Sequence, residues 1–352
     1  MARIYIGGAG GAPSNNFIRS IREGCPDDHL IGASSVPSDL FLSDTHERHV
    51  VPPALHPSYD EKILELLGRT KPDFMHVQHD FEVRKLSQIR DRVHALGVKT
   101  FLPSHQTIDD CVDKGRSYAI WATKGVPVPK TLPISSEADL REAFRAVGPK
   151  IWLRAVEGGG GTGALPTDNF GFAKAWIDAY KGWGSFTAAE CLTPETVTWL
   201  SIWAQGELVV AQTRRRRRWN FGNRTLSGVT GITGVAETFA SPLVDETALA
   251  AIMAIDARPH GIYGVDMTYD GNGVPRATEI NIGRFFTTHY FFTKAGLNMP
   301  KIVRDIVVEG TLPLLTKKVN PLPNGLVWIR GMDSHPVMVR VEELERMENS
   351  LG

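Results

Sequence analysis

Residues 154–165 read RAVEGGGGTGAL: four consecutive glycines, a threonine and a fifth glycine follow an apolar run, IWLRA (151–155), that carries an arginine. Glycine this dense gives up backbone entropy, so the loop needs a partner that approaches its main chain closely. Gly158, Gly160 and Gly163 satisfy G-x-G-x-x-G, the letters of a dinucleotide fingerprint. That fingerprint must open directly into a helix whose N-terminus holds a pyrophosphate. Here ALP (164–166) follows, and the helical pattern begins only near Asp168, with Pro166 between. The arrangement is therefore strand–loop–strand, a flap whose N–H groups can close over phosphates. No Gly-Lys-Ser or Gly-Lys-Thr occurs, which excludes a P-loop. The second glycine-rich segment, GGAGGAP (7–13), has Pro13 at the third fingerprint position, and no acid stands at 34–36 to hold a ribose. It reads as a tight turn after a first strand.

Upstream of the flap, RIYIG (3–7), HLIGAS (29–34), FMHV (74–77) and VKTF (98–101) are strand-like, with helical spacing between them, as at Ile63, Leu64, Leu66 and Leu67. Alternation of this length predicts an open parallel sheet with helices on both faces. A helix over 113–125 ends at Gly125 before Pro127 and Pro129. From Thr196 the chain turns β-rich, and YDGNG (269–273) marks a hairpin between YGVDMTY and VPRATEINI. Lys plus Arg equals Asp plus Glu, 39 each, so no global field draws the chain to nucleic acid or an anionic membrane. Three scattered cysteines, Cys25, Cys111 and Cys191, fit reduced thiols in the cytoplasm. No signal peptide and no 18-residue apolar run is evident.

The hairpin carries the metal chemistry. Asp266 on its first strand faces Glu279 and Asn281, which are two apart and so share a side of the second strand. Their neighbours Val265, Met267, Ile280 and Ile282 are apolar, and an acid in such a strand needs a partner. Three hard oxygen donors converging there suit Mg²⁺, which binds a few carboxylates plus substrate phosphates. Arg154 before the flap and Lys114 at a helix start supply positive charge; a lysine at that end of a helix is disfavoured by the dipole unless an anion lies beside it.

Taken in order, Asp113–Lys114 with GVPVPKT, IWLRAVEGGGGTGAL, AECL, VDM and EINIGR resemble the ATP-grasp superfamily, within it the branch of the carbamoyl-phosphate-synthase large subunit. The resemblance covers about residues 1–310. It implies a pre-ATP-grasp α/β domain (1–106), a lid subdomain (107–195), a core subdomain with the metal site (196–315) and a C-terminal extension (316–352). By that likeness Lys114 and Arg154 contact nucleotide phosphates, while Gly158, Gly159, Gly160, Gly161, Thr162 and Gly163 close over them. Glu190 and Leu192 stand at the adenine hinge, and Glu195, one residue short of the usual spacing, at the ribose. Asp266, Glu279 and Asn281 would hold Mg²⁺ (or Mn²⁺). Arg284, one residue later than the family's Asn-Pro-Arg, and Arg216 are the catalytic candidates. The implied activity joins a small-molecule carboxylate to an amine through an acyl phosphate, with ATP giving ADP and phosphate. Alternatives are phosphorylation of a bicarbonate- or carbamate-like acid, or a non-catalytic nucleotide- or nucleic-acid-binding module. A single grasp unit argues against a complete carbamoyl phosphate synthase, and a homodimer is compatible with the sequence.

Arg214–Arg218 is a run of five arginines beside Trp219. In a strand, Arg214, Arg216 and Arg218 face one way and Arg215 and Arg217 the other. An anionic small ligand is favoured over nucleic acid because the run continues a core strand of a neutral protein. SGVTGITG (227–234) suits a loop near the transferred phosphate. His76 and His79 point to opposite strand faces, against shared metal coordination, whereas Asp80 and Glu82 follow a strand's C-terminal end and are candidates for amine recognition. Thr287, Thr288 and His289 are candidates for an acceptor pocket.

Overall fold

The computed structural model describes residues 1–157, 161, 163–331, 337–343 and 345. Its N-terminal unit runs β1 (Arg3–Gly7), α1 (Ala12–Gly24), β2 (His29–Ser34), β3 (Glu47–Val50), α2 (Tyr59–Thr70), β4 (Phe74–His76), α3 (Asp80–Gln88), α4 (Arg90–Ala95) and β5 (Lys99–Thr100). The strands form a parallel sheet in the order β3-β2-β1-β4-β5. Chain direction across the sheet reverses between β1 and β4, so the loops after these two strands splay apart at a switch point. Pro13 fits the first turn of α1, which starts at Ala12, within the segment read as a turn.

Two helices follow, α5 (His105–Val112) and α6 (Lys114–Thr123), capped by Ser104, which accepts from Thr107 N at 3.0 Å, and by Asp113, which accepts from Gly115 N and Arg116 N. The antiparallel lid contains β6 (Thr131–Ile134), α7 (Glu137–Ala146), β7 (Ile151–Ala155), β8 (Leu165–Thr167), α8 (Phe170–Ala179) and β9 (Phe186–Glu190), with strand order β6-β9-β7-β8. The flap thus joins two paired antiparallel strands, β7 and β8, as expected. Gly158, Gly159, Gly160 and Thr162 lie outside the described residues. The lid has its own apolar core, built on Ile134, Leu153, Ile177 and Phe186, whereas α5 and α6 contribute Ile108 and Trp121 to the larger core below.

That larger unit comprises β10 (Thr196–Ala204), β11 (Glu207–Trp219), β12 (Thr233–Thr238), α9 (Pro242–Ile255), β13 (Gly261–Tyr269), β14 (Pro275–Ile282), α10 (Tyr290–Lys294), α11 (Met299–Glu309), β15 (Leu326–Ile329) and β16 (Val337–Arg340). Its seven strands lie in the order β14-β13-β10-β11-β12-β15-β16. Alternation along the strands divides the core: Trp199, Tyr263 and Val265 pack with α9, while Leu200, Ile202 and Ile262 pack with Phe285, Phe291 and residues of α1. The two units are joined by a buried ion pair in which Arg304 Nε donates to Asp28 Oδ2 at 2.7 Å. Among the described residues, no helix is long and apolar enough to cross a membrane.

One buried acid strains the N-terminal unit. Glu82, in the first turn of α3, accepts from Tyr59 Oη at 2.8 Å and presses on Gly7, where a Cβ would collide with its carboxyl. This pairing holds the Glu82 carboxyl, buried, against Gly7 at the C-terminal end of β1. Burial pushes its carboxyl up to about 7, with the Tyr59 hydrogen bond opposing. The folded chain keeps a proton there that the unfolded chain releases near its ordinary value. Stability is then full below about pH 4 and falls as pH rises to about 7, by roughly 3 kcal/mol. Glu82→Gln keeps the acceptor for Tyr59 and is expected to match the parent in urea denaturation at pH 4 yet exceed it at pH 8. An equal difference at both pH values would contradict this.

Candidate functional site

Register across five adjacent strands builds the site. Glu279 on β14 lies opposite Asp266 on β13, Asp266 opposite Thr198 on β10, Thr198 opposite Arg214 on β11, and Arg214 opposite Thr238 on β12. Directly opposed residues share a face, so one row carries the acids and an arginine together. The next row places Thr196 opposite Arg216, and Asn281 lies opposite Gly264 at the other side. Of the three expected metal donors, Asn281 Nδ2 donates to Asp266 Oδ2 at 3.0 Å, Thr198 Oγ1 donates to Asp266 Oδ1, and Glu279 lies opposite Asp266 in the register.

Cations surround these donors. Lys114 Nζ stands 3.5 Å from Glu279 Oε2 and Arg154 NH1 4.0 Å from it, while Arg154 NH2 donates to Thr278 O at 2.7 Å. Arg216 is aimed by three contacts: Nε donates to Thr233 Oγ1 at 2.9 Å, NH1 donates to Thr196 Oγ1 at 2.5 Å, and its guanidinium lies 3.6 Å over the Trp219 ring. Arg214 is buried, stacks over Phe286 at 4.4 Å, and leaves Nε and NH1 without a hydrogen-bond partner among the described residues. Burial and then the charge of Arg216 push its guanidinium down to about 9, against the pull of Asp266. Burial likewise lowers Arg216 and Arg154.

Arg284 is bidentate to Asp80, with NH2 3.0 Å from Oδ2, and NH2 also donates to Asn281 Oδ1 at 2.6 Å. Burial raises the Asp80 carboxyl, but the Arg284 charge and hydrogen bonds outweigh it and hold the acid below its ordinary range. Asp80 is thus engaged with the arginine that follows β14, a pairing that neither local sequence signals.

A cavity of about 480 Å³ opens onto this row. Lys114, Arg154, Arg216, Asp266 and Glu279 line one part of it; Trp152, Pro166, Leu192 and Met267 give it an apolar part, beside Glu190. Gly161 and the loop at Ser227–Val229 also border it, and a Cβ at Gly161 would stand 3.1 Å from Val229 O, so the flap and the 227–234 segment approach each other. Thr233 and Gly234 of that segment begin β12 and are not loop. Trp152 and Lys150 were not singled out from the sequence; both lie on the strand or turn leading into the flap, where an inward aromatic is the only signal.

Three expectations are corrected. Glu195 is exposed and lines not this cavity but a smaller depression with Arg215, Arg217, Phe239 and Tyr269. Its backbone pairs with Tyr269, whose N–H donates to Glu195 O at 3.1 Å, which fixes the residue at the end of the hairpin. Arg218 does not share the face of Arg214 and Arg216, because a bulge shifts the pairing between Arg216 and Arg218 and leaves Arg218 exposed opposite Val235. Thr288 and His289 are fully buried rather than lining an open pocket. Arg215 and Arg217 both bind Glu237, through Nε donors at 2.8 and 2.7 Å.

Comparison with known proteins places this geometry. No family model and no curated protein sequence matches the chain. Solved structures do. Biotin carboxylase from Campylobacter jejuni, in a complex described as beta-gamma-ATP, aligns over 94% of this chain and 75% of its own, with TM-score 0.71 and 16% identity. N5-carboxyaminoimidazole synthetase from Staphylococcus aureus aligns over 99% and 96%, with TM-score 0.70 and 15% identity. L-amino acid ligase from Bacillus licheniformis aligns over 93% and 79%, with TM-score 0.69 and 12% identity. With its N-terminal parallel sheet, antiparallel lid and seven-stranded core in this order, the chain has the ATP-grasp fold.

Proposed function

We propose that the protein is a Mg-ATP-dependent carboxylate–amine ligase that works through an acyl phosphate and releases ADP and phosphate. The observation that carries this reading is the row Glu279–Asp266–Thr198–Arg214, which sets two carboxylates against Lys114, Arg154 and Arg216 at the polar part of one cavity. Five cationic side chains gather around Asp80, Asp266 and Glu279 there, an excess of positive charge that calls for a bound anion. ATP fits with its phosphates among Lys114, Arg154 and Arg216, beside Gly161, and its base against Trp152, Met267 and the chain at 190–192.

Among the described residues, no group of three or more His, Cys, Asp or Glu could enclose a metal. Two carboxylates and the Asn281 amide instead fit Mg²⁺, which completes its shell with phosphate oxygens and water. When bound, the ion would neutralise charge on the transferring phosphoryl group. Arg284, fixed by Asp80 and Asn281, and Arg214 and Arg216 would gather the substrate carboxylate in line with the γ-phosphorus. An oxygen of that carboxylate forms the new P–O bond as the bond to ADP breaks. The amine lone pair then forms the C–N bond, phosphate departs with the electrons of the acyl C–O bond, and the proton released from nitrogen is taken up by the departing phosphate. Positioning and charge stabilisation are sufficient for such steps, without a side-chain nucleophile.

Hydroxylamine is expected to trap the acyl phosphate as a hydroxamate, with ADP released in step. Glu279→Gln should cut ADP release roughly 100-fold or more while the circular dichroism spectrum is kept; unchanged turnover would remove the metal assignment. The arginine run separates this reading from nucleic-acid binding. Arg216→Ala should lower kcat/KM by roughly 100-fold, and Arg218→Ala by less than about twofold. Salt-sensitive RNA binding lost equally in both variants would overturn the ligase reading.

A further inference from the structure

Outside the cavity, exposed apolar side chains concentrate at the β3 edge of the N-terminal sheet. Phe41 is 79% exposed, Leu55 72%, Leu42 69%, Val50 62% and Val36 46%. These five fall within residues 36–55, whereas the ten other large apolar side chains exposed among the described residues are spread over the rest of the chain. An apolar side chain standing singly in water is ordinary; five around one sheet edge are not. The backbone explains their grouping. β3 pairs only with β2, so its outer side shows main-chain groups with no strand beside them. Val51 N donates to Ser34 O at 3.1 Å, which sets Val36, just past the end of β2, beside the end of β3 that carries Val50. A 3₁₀ turn over Pro37–Leu42 follows, ending in Phe41 and Leu42, and Asn15 Nδ2 of α1 pins it by donating to Leu42 O at 3.1 Å. Leu55 stands in the turn between β3 and α2.

Charge is withdrawn from the same edge. No Asp, Glu, Lys or Arg occurs from 49 to 59. Glu47 is engaged by Arg3 NH2 at 2.8 Å, by His29 Nε2 at 2.8 Å and by His49 Nε2 at 3.1 Å, and Asp44 pairs with Arg22 Nε at 3.0 Å. Arg48 and Asp39 remain, one charge of each sign. A strongly charged partner meets no opposing field here, whereas an uncharged apolar face is complementary to its own copy across a two-fold axis. The area is also adequate. The five side chains leave about 600 Å² open on each copy, the upper end of what a monomer keeps in one patch. With the exposed Pro37, Pro53 and Pro57 among them, the face approaches the roughly 800 Å² per partner of a standard interface.

We propose that residues 36–55 form the two-fold interface of a homodimer, in which a second copy of the chain covers Phe41, Leu42, Val50 and Leu55. None of these residues lines the cavity, so the dimer stands or falls independently of the ligase reading. The contact buries apolar surface that each chain alone leaves in water, and it screens the open edge of β3 from further pairing.

Sedimentation velocity of the full chain across about 1–100 μM tests this. The expected result is a species of twice 38.7 kDa that forms within that range. Phe41→Glu or Leu55→Glu, or both, should weaken association roughly tenfold or more with the circular dichroism spectrum kept. Both side chains face water in the single chain, so neither charge enters a core. Leu314→Glu, at an exposed leucine outside this face, should associate as the parent does. Amide hydrogen exchange over 36–55 should slow at the higher concentration. A parent that stays monomeric to about 100 μM would overturn the inference. So would a dimer that survives both charges, or one that Leu314→Glu weakens as much.

Discussion

Positive charge carried indoors by one β-strand is the constraint on which the rest of the site depends. β11 threads Arg214 and Arg216 into the interior of a sheet, where each guanidinium costs several kcal/mol unless paired or hydrogen-bonded. The protein offsets only part of that cost. Arg216 has two threonine hydroxyls and the Trp219 face, and Arg214 has Phe286 and the field of Asp266. What remains is a standing demand for anion, placed beside two carboxylates that in turn demand a cation. In the proposed function Mg-ATP answers both demands at once, with Arg214 in the row of the acids and Arg216 in the row beside it.

The opposite face of the same strand is treated differently. Arg215 and Arg217 converge on Glu237, which is almost fully buried and held below the ordinary carboxylate range despite its burial. One acid shared by two arginines locks the outer face, so the five-arginine run does not form a free basic stripe. The bulge after Arg216 then turns Arg218 out to solvent. A run that looks uniform in sequence is divided by alternation and one register shift into arginines on the face of Asp266, paired arginines and an exposed one.

Alternation and turn chemistry were enough to read much of this from the chain. The DGNG hairpin put Asp266, Glu279 and Asn281 together because strand period and turn position are local properties. The proline after the flap and the delayed helix likewise gave strand–loop–strand. Other features were not local. The short, half-exposed strand β3 has no apolar alternation to mark it. The bond between Asp80 and Arg284 joins residues 204 apart, and nothing in either neighbourhood encodes it. The bulge at Arg216–Arg218 is a property of pairing with β12 and not of β11 alone, so a period-two reading necessarily misassigned Arg218.

The Asp80–Arg284 bond also couples the two large units of the protein. Asp80 begins α3 at the switch point of the N-terminal sheet, and Arg284 follows closely on β14. Because Arg284 also binds Asn281, any shift of the N-terminal sheet relative to the core reaches Asn281, beside Asp266, through two hydrogen bonds. Gly283, left-handed at φ 69°, lets the chain turn sharply between them, and a side chain there would collide with Val83 and Leu102. The extra residue that displaces Arg284 along the sequence is therefore accommodated by a tight glycine turn packed on the N-terminal unit. The arginine reaches Asn281 from that unit's side, clamped in place by Asp80.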